Sequence, residues 1–198
     1  MRKTVILAMV CVCMASVGFG QNPGFAKSPI KFRSTEWVGL STGMAGSAGE
    51  IQTVNGVSKG PWFLGAGAGI DYYRFRSVPL FGSVTRDISL GKTDWLFLYI
   101  DGGINVPWYT RKVAPNPTGY DEILGSTFHA GEYWSGGLGY LWKLGDHSKK
   151  AVSISAGYTV KKLSEDQRVP TTCMSLNCDM VHYEYLNRMY MFLVGFRF

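Results

Sequence analysis

Three histidines carry most of the acid–base potential of this chain: His129, His147 and His182. Ser126 and Glu132 lie three residues to either side of His129, and Glu184 stands two residues after His182. An imidazole with a hydroxyl and a carboxylate in reach is the minimum for hydrolysis or acyl transfer through a nucleophile. Such proximity in sequence is common by chance, and no hydrolase motif surrounds either group, so no catalytic residue is expected. His147 falls in a short polar turn and reads as solvated. Cys173 and Cys178 share one polar stretch; two cysteines fall short of the four ligands of a structural zinc, so the expectation is a loop disulfide and no metal. No cofactor is expected.

The elements that must position these groups are read from composition and period. The 198 residues fit one domain, with 46% hydrophobic, 14% aromatic and 17% charged residues, 25 glycines and a net charge of +6. Few charges and many aromatics exclude a disordered chain. Glycine has no three-residue period, which excludes collagen. The basic residues are dispersed and match no nucleic-acid motif. Arg2 and Lys3 precede an apolar run from Val5 to Phe19 that ends at Gly18-Phe19-Gly20. That is the form of a secretory signal peptide, expected over residues 1–20. Beyond it no apolar run reaches the roughly 18 residues of a spanning helix. Export also makes the Cys173–Cys178 disulfide chemically reasonable.

The period of the remaining chain is 2. Leu186, Tyr190, Phe192, Val194, Phe196 and Phe198 share one face of the last segment; Asn187, Met189, Met191, Leu193, Gly195 and Arg197 share the other. The pattern recurs at 61–75, 94–108, 129–144 and 151–162, and more weakly at 35–46 and 77–88. In the Leu64-Gly65-Ala66-Gly67-Ala68-Gly69-Ile70 run glycine occupies alternate strand positions, which is not the spacing of a phosphate-binding loop.

One face of each segment is large and apolar, the other rich in Gly, Ser, Thr and Asp. A soluble barrel would turn the apolar face inward; a membrane barrel turns it outward. Strand length favours the membrane, since about 9–11 tilted residues cross a bilayer and these segments run longer. Tryptophan position favours it too. Trp37, Trp62, Trp95 and Trp142 fall at strand ends sharing one rim, and Trp108 and Trp134 at the opposite ends, as two interfacial belts would require. Counting connections back from Phe198 places loops 163–182 and 109–128 outside and turns 145–150 and 89–93 on the periplasmic side. An even strand count then needs an eighth strand near Glu50–Val57. The expected fold is all-β, an eight-stranded antiparallel up-and-down transmembrane β-barrel over residues 34–198, after an N-terminal periplasmic extension at 21–33.

With these segments in place, the chain resembles the small eight-stranded outer-membrane barrels of the OmpA/OmpX type, in particular the short stand-alone barrels of Bacteroidota. The residues that carry the likeness are Leu64 to Tyr73, Pro79-Leu80-Phe81, Leu186-Asn187-Arg188 and Val194 to Phe198. The resemblance implies residence in the bacterial outer membrane. It also implies recognition of the C-terminal strand by the barrel-assembly machinery, through the aromatic signature matched by Phe196 and Phe198. It is informative about architecture and nearly silent about activity.

By alternation Asp71, Asp101, Lys143, Lys161 and Arg197 point inward. A barrel of eight strands is just wide enough to be filled by side chains, so these charges are expected to pair as a plug. The long loops are the expected contact surface. A mild positive charge suits outer-membrane lipid and lipopolysaccharide as partners. The role that follows is structural or adhesive. A small-solute channel, a lipid A-modifying enzyme and a soluble periplasmic binding barrel are the alternatives.

Overall fold

Period-2 sequence leaves the backbone hydrogen bonds to neighbouring strands, and a sheet without edges is the only way to satisfy all of them in lipid. In the computed structural model, residues 29–108, 125–145, 150–168 and 180–198 are described. Every regular element among them is a strand: β1 (Lys31–Gly43), β2 (Gly46–Lys59), β3 (Trp62–Asp71), β4 (Ser77–Ser89), β5 (Asp94–Pro107), β6 (Gly125–His129), β7 (Gly131–Lys143), β8 (Ala151–Arg168) and β9 (Met180–Arg197). All pairings are antiparallel. The ladder β1-β2-β3-β4-β5-β7-β8-β9 closes where β9 pairs with β1 from Gly43↔Met189 to Thr35↔Arg197. Eight staves therefore form a closed barrel. β6 continues the line of β7 past Ala130 but pairs with β8 alone, at Gly125↔Arg168 to His129↔Ser164.

Three boundaries differ from the sequence reading. The first stave begins at Lys31, inside the segment expected as an extension, because its ladder to β2 starts at Lys31↔Ser58. The uncertain second strand is one of the longer staves, Gly46–Lys59, joined to β1 by a tight turn with Gly46 at φ 107°. Its apolar pattern is weak: on the outward face Thr53 and Asn55 stand between Ile51 and Val57. The outer loops are also shorter than expected. β8 runs on to Arg168 and β9 starts at Met180, so residues 163–168 and 180–182 are paired strand that continues past the barrel, with β6 as a third strand.

The alternation of faces is as expected. Outward positions leave Leu64, Leu98, Ile100, Leu138, Phe192 and Val194 exposed, while their neighbours are buried. Pro79 sits in β4, where the β3–β4 ladder skips from Ala68↔Leu80 to Asp71↔Ser77, since proline has no N–H to give. The lumen is less polar than its Gly/Ser/Thr pattern suggested. Val54, Phe63, Phe81 and Tyr133 form one buried cluster with Trp37 against it, and Phe97, Leu141 and Ala151 form another. Inward glycines make room for those rings: a Cβ on Gly67 would strike Phe81, and one on Gly139 would strike Phe97.

Candidate functional site: the lumen and the outer extension

The five inward charges anticipated from alternation all face the lumen, but they do not form one network. Toward the outer end, Lys161 is ion-paired with Asp71, both side chains 1% exposed. Asp71 also accepts the Tyr73 backbone N–H at 2.6 Å. Beside the pair, buried Glu50 accepts from the Ser41 hydroxyl and from Gln52 Nε2 at 2.5 Å. Asp101 lies at mid-height, 4% exposed, with Ser83 as its cross-strand neighbour. Its Oδ1 has no hydrogen-bond partner.

Toward the opposite end, where the chain terminates, the sign reverses. Arg33 Nη1 and Arg197 Nη1 both reach Asp87 Oδ2, at 2.7 and 2.9 Å. Lys143 lies over the Trp95 ring, 4.3 Å from its centroid. Arg33, Glu50 and Asp87 were not singled out in sequence. Arg33 lay in the supposed extension, Glu50 in the uncertain strand, and Asp87 in a weakly patterned one. Continued alternation into those segments was the signal that could have found them.

The tryptophans divide differently from the expected belts. Trp62, Trp142, Trp108 and Trp134 face outward, two near each rim. Trp37 and Trp95 face inward and belong to the lumen packing, so they are removed from the periplasmic belt. Both sit on the same parity as buried Thr35 and Phe97, which decides their side whatever their height. Phe196 and Phe198 lie outward near the C-terminus, with centroids 5.9 Å apart.

The outer extension brings together groups that sequence kept separate. On its outer face Asp166 is held between two imidazoles: His129 Nε2 is 2.8 Å from Oδ2 and His182 Nδ1 is 2.5 Å from Oδ1. These hydrogen bonds hold the Asp166 carboxyl below its ordinary value, with His182 the larger cause. Glu132 pairs with Lys162 at 2.8 Å rather than with His129, and Glu184 is 4.0 Å from His182 Nε2. The side chain of Ser126, His147, and the Cys173 and Cys178 pair all lie outside the described residues. Among the described residues no cluster of three or more His, Cys, Asp or Glu is arranged to hold a metal.

The opposite face of the extension is packed by the β3–β4 loop. Phe75 sits 5.4 Å from Phe128 and 5.1 Å from Tyr185, and the Arg74 guanidinium lies 4.6 Å over Tyr185. Tyr185 donates to Glu165 at 2.8 Å. Burial, then the neighbouring Glu165 carboxylate, pushes its phenol up to about 12. Arg74 takes a left-handed φ of 58°, rare for a residue with a Cβ, and the turn it makes returns Phe75 toward the extension.

An apolar outer girdle, outward tryptophans near both rims and a charged, side-chain-filled lumen together define the membrane-spanning class of β-barrel. No family model matches the chain, and no curated protein matches it in sequence. Among solved structures it is similar to the crystal structure of the outer membrane protein OprG from Pseudomonas aeruginosa, at 12% identity and a TM-score of 0.48, over 87% of this chain and 97% of that one.

Proposed function

We propose that this chain is an integral protein of the bacterial outer membrane, with a structural or surface-recognition role carried by its outer extension. The observation behind this is the combination of a girdle that only lipid can solvate with a three-stranded extension beyond one rim. The extension is braced on one face by Phe75 and Arg74 and presents His129, His182, Lys162 and Glu184 on the other. The likeness to stand-alone OmpA/OmpX-type barrels of Bacteroidota, and recognition of Phe196 and Phe198 by the assembly machinery, belong to the same proposal. The partners on this reading are lipopolysaccharide and the lipid of the membrane, together with a contact of the extension at the cell surface.

The lumen supports a plug in preference to a pore: Lys161–Asp71 and the aromatic cluster around Tyr133 occupy it. On this reading the protein is not an enzyme, and the His129–Asp166–His182 group is a clasp that ties β6 and β9 to β8. The purified barrel in planar bilayers, and cells carrying it, test the proposal. The expected results are bilayers that stay sealed, and surface adhesion or lipopolysaccharide binding that falls when segment 163–182 is shortened. Steady conductance, or contact unaffected by the shortening, would count against it. Lipid A acylation is expected to be the same with His129→Ala as with the unaltered chain.

A further inference from the structure

We infer that the periplasmic half of the lumen is a binding site for a compact inorganic anion of halide size, held between Arg33 and Arg197. A cavity of about 30 Å³ opens there, lined by both arginines together with Asp101, Thr35, Trp37, Gln52 and Phe97, among others. That volume holds about two waters or one monatomic anion, given the 10–15 Å³ or so needed per water.

Charge and geometry single out an anion. The two guanidiniums share a single oxygen of Asp87, which does not line the cavity. Three inward charges are thus one carboxylate against two cations, and Lys143 on the same lower rung adds a third cation. Of the acidic groups of the lumen, Glu50 and Asp71 lie higher, while Asp101 lines the far wall of the same cavity and is not among the groups paired with either arginine. Each guanidinium lies over an aromatic ring: Arg33 at 3.8 Å from the Phe63 centroid and Arg197 at 5.3 Å from that of Phe97. These contacts restrict the guanidiniums in advance, which lowers the entropy lost when a ligand is bound. The Nε of each arginine is buried without a hydrogen-bond partner, in residues each 8% exposed. An unmet donor on a desolvated cation is costly, and a small anion would satisfy both donors at once while neutralising the excess charge.

The test uses the refolded full barrel in detergent micelles, with arginine Nε signals followed by NMR as chloride replaces gluconate at constant ionic strength. Saturable shifts are expected for Arg33 and Arg197, and unsaturated drift for exposed Arg188. Two substitutions should act in opposite directions. Arg197→Gln removes half of the site and abolishes saturation. Asp87→Asn removes the competing carboxylate and tightens binding at least about tenfold, the effect of one unit charge a few ångströms away in a partly water-screened site. A boiling-dependent gel shift verifies that each variant is folded. Linear shifts at all arginines, or affinity lowered equally by both substitutions, would overturn the site and leave a purely structural charge cluster filled by water. Bromide-soaked crystals supply an independent readout, with an anomalous peak expected between the two Nε atoms and its absence counting against the site.

Discussion

Lys161 and Asp71 carry the greatest electrostatic risk in the molecule, because both charges are almost wholly removed from water. Breaking one partner strands the other charge, a loss of about 3–5 kcal/mol, while removing both together costs far less. Asp71→Asn should therefore lower the urea midpoint of barrel unfolding strongly, and Asp71→Asn combined with Lys161→Met should recover much of the loss. Unfolding followed by gel mobility in lipid vesicles reads both. Additive losses in the double variant would show that the two groups do not act as a pair. Alternation alone placed Asp71, Asp101, Lys143, Lys161 and Arg197 inward, and all five are there. Which charge meets which was not legible: Lys161 on β8 meets Asp71 on β3, and only barrel closure brings those staves face to face.

At the scale of elements, the extension and the glycine stripes make separate predictions. The Asp166 carboxyl is held below 3.8 by its two histidine hydrogen bonds. A carboxyl depressed in the folded state stabilises that state above its unfolded value, and the contribution is lost as pH falls through the folded value. The clasp should therefore persist at pH 5 and loosen only below the ordinary carboxyl range, as the carboxyl gains its proton. Amide exchange along β6 and the outer part of β9 should rise over that window while the barrel staves stay protected. Asp166→Ala should produce the same loosening at neutral pH. Inside the barrel, Gly139→Leu would drive a side chain into Phe97. Overpacking of that kind costs about 1–3 kcal/mol, so refolding yield and urea midpoint should both fall. Leu138→Ala, on the lipid-facing side of the same strand, should cost much less.

For the whole molecule, the division of the tryptophans is a direct check on which surface meets lipid. Trp62, Trp142, Trp108 and Trp134 should be quenched by brominated or spin-labelled lipids, and Trp37 and Trp95 should be shielded. Single-tryptophan variants in vesicles separate the six. Equal quenching of Trp37 and Trp62 would mean that the first stave is turned about its axis. The same variants should keep the mobility difference between boiled and unboiled samples in SDS, the mark of a closed barrel.

Sequence by itself determined the class of fold and the sense of its faces. Period 2 over segments longer than a soluble strand needs, with bulky apolar residues on one side and small or charged ones on the other, has one comfortable solution in lipid. Turn and loop lengths then sorted the ends. Tertiary structure decided the rest. The position of β2 became visible through its ladders to β1 and β3, because Thr53 and Asn55 blunt its apolar stripe. The inward turn of Trp37 and Trp95 followed from strand register, which outweighs the preference of indole for an interface. The clasp of His129, Asp166 and His182 and the paired arginines at Asp87 join residues 16 to 110 positions apart. Local sequence specifies which side of a strand a group occupies; closure of the sheet specifies what lies across from it.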